Sequence, residues 1–266
     1  MVIASPEQAL HPDLAGAEQV RAAYDERAKE YIYKGRTGFP ARKHRGILRH
    51  LQEVGGTRYL EVGCGDGPYL AWSSRRGVMS AVGVDLSALI VKEARKRVEH
   101  EGRPELVHLV VADAAALPFA DDSFDLILSS QVIEHVLAEA VALHAMWRVL
   151  RSRGLLVAST DNRDNRVTQA LAWPVQTVRR LLGRPVWGPP FLHRSYRWAD
   201  FLAMAKREGF EVVETMTYRF SWPSRLGAVR PLVNLLDGIE EHLIHHRPFS
   251  AWGDILLLVA RRSTCP

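Results

Sequence analysis

The stretch YLEVGCGDGPYL, residues 59–70, sets three glycines within five positions directly behind an apolar run. Tyr59 to Val62 has the length of a short buried strand, and Gly63, Gly65 and Gly67 then break it. Glycine adopts positive φ without strain and lets another molecule approach the main chain closely. Pro68 follows at a first helical position, where its missing N–H costs nothing. Strand, glycine turn and helix N-terminus, in that order, form a nucleotide cradle.

Working outward, the pattern repeats. Ser80–Asp85 reads as a short strand ending in an acid, and Ser87 is placed to cap a helix running through Glu93 and Arg97. Strands are expected at 106–111 (leading to Asp113), 124–128 and 154–159, with a helix over 134–150 and a turn at Asp121-Asp122. A βαβα alternation of this kind implies a parallel sheet with helices on both faces. The later chain reads as a helix over 198–208 stopped by Gly209, then strands at 210–218 and 254–261. The fold class expected is α/β: a doubly wound, mostly parallel seven-stranded sheet. Upstream, Tyr24, Ala28 and Tyr31 recur at helical spacing, so residues 17–54 form an N-terminal helical cap.

The 266 residues suit one α/β domain, 1–266, in which 55–161 is the core and 162–193 and 220–252 are late insertions. Composition is globular, with 47% hydrophobic and 24% charged residues, which argues against extended disorder. The N-terminus shows no leader-like pattern and no segment is apolar enough to span a membrane, so a cytoplasmic location is expected. Two cysteines, Cys64 and Cys265, are too few for a disulfide framework or a cysteine zinc cluster. The net charge of +5 is spread among acids rather than gathered in a run, a weak argument for nucleic acid.

Two ligand classes use a glycine turn after a first strand: dinucleotides and S-adenosylmethionine. Dinucleotide sites want G-x-G-x-x-G beside a pyrophosphate, whereas here the spacing is Gly63-x-Gly65-x-Gly67 and Pro68 follows. Glu61 and Asp66 repel a pyrophosphate and attract a sulfonium and an ammonium. The sign of the charge favours S-adenosylmethionine over NAD. Asp85 is placed to accept from both ribose hydroxyls, Asp113 from the adenine amino group with the Ala114 N–H facing a ring nitrogen, and Leu86 and Leu117 to wall the purine. In a parallel sheet these positions fall at the carboxyl ends of adjacent strands, where ligands bind.

With these residues in view, the chain resembles the class I S-adenosylmethionine-dependent methyltransferases, in the small-molecule group that includes quinone and sugar methyltransferases. The resemblance rests on EVGCGDG (61–67), VGVDLS (82–87), VADAAALPFADDSFDLILSSQVIEHV (111–136) and RVLRSRGLLVAST (148–160), in order, over roughly residues 20–160. It implies the Rossmann-like methyltransferase fold. It also implies cofactor contacts at Glu61, Gly63, Cys64, Gly65, Gly67, Asp85, Leu86, Asp113, Ala114 and Gln131, with Tyr24 and Tyr31 closing over the methionine end.

Catalytic and substrate residues are harder to name, because a sulfonium is already an activated methyl donor and alignment carries most of the catalysis. His135, beside Glu134, and His193, in FLHRSYRW, are the candidate proton acceptors. Glu134 at a helix start also suits the helix dipole. His242, His245 and His246 share helical spacing but read as a solvated face, so no metal is expected. Trp173, Trp187 and Phe191 are the candidate acceptor contacts, and residues 220–252 carry an apolar stripe that fits core, lid or peripheral membrane contact. The expected activity is methyl transfer to O, N or C of a small, partly apolar acceptor such as a quinone, polyketide or lipid-linked sugar. Nucleic-acid methylation lacks its expected N-P-P-Y-type motif, since the fourth strand continues as LSSQVIEH. A non-catalytic cofactor-binding partner subunit is the other reading.

Overall fold

The computed structural model describes residues 22, 25, 45–51, 55–166, 194–218 and 252–263. These residues form one seven-stranded sheet: β1 (Arg58–Val62), β2 (Ser80–Asp85), β3 (Val107–Val111), β4 (Phe124–Ser130), β5 (Leu150–Asp161), β6 (Phe210–Tyr218) and β7 (Ile255–Arg262). Their spatial order is β3-β2-β1-β4-β5-β7-β6. The first five pair in parallel, and β7 runs antiparallel to both β5 and β6. The order reverses between β1 and β4, and a crevice opens beyond the carboxyl ends of strands at such a switch point.

Both faces of the sheet are covered, which is why β1, β2 and β4 are near-continuous apolar runs. Alternate residues point to opposite faces. Leu60, Val62, Ile127 and Leu156 pack with Leu143 and Met146 of α4 (Glu139–Val149) and Phe201 of α5 (Trp198–Arg207). Tyr59, Ala81, Leu128 and Val157 face α1 (Arg45–His50), α2 (Pro68–Ser74) and α3 (Ala88–Glu101) through Ile47, Leu70 and Ala94.

Most expected elements fall within a few residues of their places; β5 is longer than expected, beginning at Leu150. One expectation fails. No helix begins at Glu134: a 3-10 turn occupies Ile133–His135 and α4 starts only at Glu139. The reason is tertiary, because Glu134 and Ile133 are fully buried and the Glu134 side chain bonds to β5. Glu134 therefore has no role at a helix dipole. Of the N-terminal cap, only Ala22, Asp25 and 45–51 are described; α1 seals the sheet with Ile47 and Leu51. Among the described residues no helix is long and apolar enough to cross a membrane.

Candidate active site

The three glycines serve three different needs. All have positive φ: 69° at Gly63, 53° at Gly65 and 78° at Gly67. A Cβ on Gly63 would lie 2.3 Å from Val132 Cγ2, so this glycine lets the turn after β1 press against the turn after β4. One on Gly67 would meet Ala94 Cβ at 3.1 Å, so that glycine lets α3 approach. In front of Gly65 a Cβ would meet no described residue within 4 Å. That open space is where a ligand can reach the main chain. Pro68 is the first residue of α2, as its sequence position implies.

The acids gather around this turn. Asp85 accepts from the Gly65 N–H on Oδ2 and from the Ser87 N–H on Oδ1, both at 3.0 Å. Ser87 caps α3 by accepting from the Ile90 N–H at 3.2 Å. Burial pushes the Asp85 carboxyl upward, and the Ser87 and Gly65 N–H groups pull it back. The Leu86 N–H pulls the same way, and with about four acceptor directions the carboxylate can still accept from a ribose hydroxyl. Glu61 is 2% exposed, accepts from the Tyr59 hydroxyl at 3.4 Å, and is driven well above the usual carboxylate range, first by burial and then by Asp66 and Asp85.

At the neighbouring strand end, Val111 pairs with Asp85. Asp113 closes a turn by accepting from the Ala115 N–H at 2.8 Å; Ala114 beside it and Leu86 beside Asp85 are half-buried. One side chain does not point as expected. Leu117 is 4% exposed and packs in the core with Val84 and Phe119, so it is not a wall for a purine. Cys64 is 2% exposed; its thiol sits in the opposite core and only its backbone belongs to the turn. Its N–H donates to Val84 O, and its carbonyl accepts from Gly67 N.

Beyond β4, Gln131 takes a left-handed φ of 58°, donates its N–H to Ser159 O at 2.9 Å, and leaves Nε2 buried with no partner. Glu134 is the acid that the sequence sets beside His135 and that reads there as suited to a helix start. It is fully buried, its Oε2 accepts from the Thr160 hydroxyl at 2.9 Å, and its Oε1 is unpartnered. Burial pushes its carboxyl up to about 8. His135, half-buried in the same turn, donates its backbone N–H to Val132 O. Tyr24, Tyr31, Trp173, Trp187, Phe191 and His193 lie outside the described residues. Among the described residues no group of three or more His, Cys, Asp or Glu side chains is arranged to hold a metal.

Open space at Gly65 and a diol acceptor at Asp85 fit a nucleoside. The comparisons agree. Residues 60–158 match the family model described as a methyltransferase domain. The chain is 32% identical to the ubiquinone/menaquinone biosynthesis C-methyltransferase UbiE of a Ruegeria species over 168 residues, 59% of this chain and 67% of that protein. It is 31% identical to the 2-methyl-6-phytyl-1,4-hydroquinone methyltransferase of Synechocystis over 199 residues, 74% of this chain and 58% of the relative. Methyltransferase GfsG of Streptomyces halstedii shares 36% over 110 residues, 41% of this chain and 40% of that protein. The chain thus spans only part of the length of several curated relatives it matches. An S-adenosylmethionine-dependent methyltransferase structure from Mesorhizobium loti superposes with a TM-score of 0.60, covering 84% of this chain and 99% of that one; at 22% identity this shows the fold. With about a third of the aligned residues identical to UbiE across two thirds of that relative's length, on the frame its sequence implied, the chain belongs to the class I S-adenosylmethionine-dependent methyltransferases and takes S-adenosylmethionine as its cofactor.

Proposed function

We propose that the protein transfers a methyl group from S-adenosylmethionine to O, N or C of a small, partly apolar acceptor of the quinol, polyketide or lipid-linked sugar type. The observation that carries this reading is the anchored Asp85 carboxylate facing a glycine turn with open space at Gly65. When bound, the cofactor supplies an activated methyl group on a sulfonium. In this reading Asp85 binds the ribose hydroxyls and Asp113 and Ala114 the adenine, beside Leu86. Gly63, Cys64, Gly65 and Gly67 offer main chain, and Glu61, Gln131, Tyr24 and Tyr31 surround the methionine end. The quinol class is favoured because two of the relatives named above are C-methyltransferase UbiE and a hydroquinone methyltransferase.

Acceptor choice is assigned to residues 162–193 and 220–252, with Trp173, Trp187 and Phe191 as contacts and His193 or His135 as the group that takes a proton where the acceptor must lose one. Their anchoring supports this. The described chain leaves the sheet at the carboxyl end of β5 and returns at Arg194, whose N–H donates to Glu134 O at 2.9 Å. It leaves again after Tyr218 and returns before Ile255, and these two residues pair with each other. Asn162, 2% exposed, joins the two roots: its N–H donates to Asp254 O and its Nδ2 to Gly253 O, both at 2.7 Å. Both stretches are therefore rooted at the edge where β1, β2 and β4 end. The test is a methyl-transfer assay with labelled S-adenosylmethionine against a panel of quinols, phenols and amines, alongside thermal shifts. S-adenosylhomocysteine should raise the melting temperature and NAD should not; the reverse would refute the reading.

A further inference from the structure

Arg97 lies on the inward face of α3, at spacing that continues Val91 and Ala94, where an arginine is out of place. Its side chain is 7% exposed, while those of Asp66 and Glu101, its ionic partners, are 47% and 42% exposed. The guanidinium thus sits beneath the surface with every nitrogen used. Nε donates to the backbone carbonyl of Asp66 at 3.0 Å, and Nη2 to the Asp66 carboxylate at 2.6 Å. Nη1 donates to both oxygens of Glu101 at 3.0 and 3.2 Å.

Two of these contacts reach the one non-glycine residue between Gly65 and Gly67. A turn with three glycines in five positions has more conformational freedom than the same turn built from other residues would, and that freedom must be removed before the main chain can present itself to a ligand. Among the bonds that fix the turn, three matter here. Asp85 holds the Gly65 N–H, the Cys64 carbonyl holds the Gly67 N–H, and Arg97 holds the Asp66 carbonyl. Only the third comes from a side chain whose placement depends on α3 packing against the turn, with Ala94 under Gly67. The same guanidinium offsets the Asp66 charge, one of those raising Glu61.

We propose that Arg97 is a positioning residue for cofactor binding: its fork locks the Asp66 peptide and thereby pre-sets the glycine turn. This rests on the methyltransferase reading above. Lysine cannot replace it, since a single ammonium cannot hold a carbonyl, the adjoining carboxylate and Glu101 in one plane.

Titration of the full chain with S-adenosylhomocysteine, well below each variant's melting temperature, tests the proposal. Arg97→Met should raise Kd about tenfold or more, the scale of lost charged hydrogen bonds, and Arg97→Lys should fall between it and wild type. Asp66→Asn should weaken binding in the same direction, and the Arg97→Met/Asp66→Asn double variant should be no worse than Arg97→Met alone. Glu101→Gln cuts the far side of the same guanidinium and should leave Kd within about twofold. Wild-type affinity in folded Arg97→Met, or equal weakening by Glu101→Gln and Asp66→Asn, would reduce Arg97 to a helix-packing residue. Should Arg97→Met not fold, the Asp66→Asn and Glu101→Gln comparison decides alone. A wild-type protein that does not bind S-adenosylhomocysteine overturns the methyltransferase reading itself, an outcome distinct from the others.

Discussion

Replacing Glu134 with glutamine isolates the energetic consequence of burying a carboxyl group beneath the site. In the folded chain burial raises this carboxyl from 4.5 to about 8, with the Asp161 charge adding to the effect and the Thr160 hydroxyl opposing it. In the unfolded chain it returns to its ordinary range. Between those two values the native state keeps a proton that the unfolded state releases, so unfolding becomes easier as pH rises. The contribution to stability is fully present below about pH 4.5 and is lost progressively up to about pH 8. At about 1.36 kcal/mol per unit, the loss amounts to roughly 3–5 kcal/mol. Glutamine keeps the shape and an oxygen for the Thr160 hydroxyl but does not ionise. Urea unfolding of both proteins from about pH 5 to about pH 9 gives the answer by difference, which also cancels the second raised carboxyl, Glu61. Glu134→Gln should match wild type at the acid end and exceed it by roughly 3–5 kcal/mol at the alkaline end. Parallel stability curves at all pH values would show that Glu134 is ionised in the fold and that the burial argument fails.

Asp85→Ala should weaken S-adenosylmethionine binding by about 1.5–3 kcal/mol by calorimetric titration while the protein stays folded; unchanged affinity would remove Asp85 from the cofactor site. The glycines should separate by role. Gly65→Ala costs about 1–2 kcal/mol of stability from its left-handed backbone alone yet weakens cofactor binding sharply, whereas Gly63→Ala adds the collision with Val132 and costs more stability in urea unfolding. Trp173→Ala or Trp187→Ala should impair methyl transfer to an identified acceptor while leaving cofactor affinity nearly unchanged, and a drop in cofactor affinity would move those residues out of the acceptor role.

What was legible in the sequence was local. The Gly63–Gly67 turn, Pro68 opening a helix and Ser87 capping the next are set by backbone preferences that act over a few residues. Strand ends followed from runs buried on both faces, so Asp85 fell at the carboxyl end of β2 as read. The misreadings were tertiary. The apolar period over 134–150 does suit a helix, but a left-handed Gln131 and a bond from Thr160, 26 residues onward, hold Glu134 in a separate turn. Leu117 was misdirected because the Asp113 turn aims the following chain into the core. Arg97 carried a signal that passed unread, a charged residue on the apolar stripe of α3. Its partner could be identified only once the fold had laid the helix along the glycine turn.

The reversed strand β7 has a consequence for how this protein can change. Because β6 and β7 are hydrogen-bonded neighbours running in opposite directions, the chain that joins them need only come back to where it left, at the Tyr218–Ile255 pair. A parallel β7 would have required a crossover tall enough to traverse the sheet. Returning to the point of departure imposes no minimum span, and each doubling of such a connection adds only about 0.6 kcal/mol of closure entropy. Lengthening, shortening or exchanging this connection need not disturb the strand registers, so on the acceptor role proposed for it, new acceptor chemistry could be grafted there as a cassette.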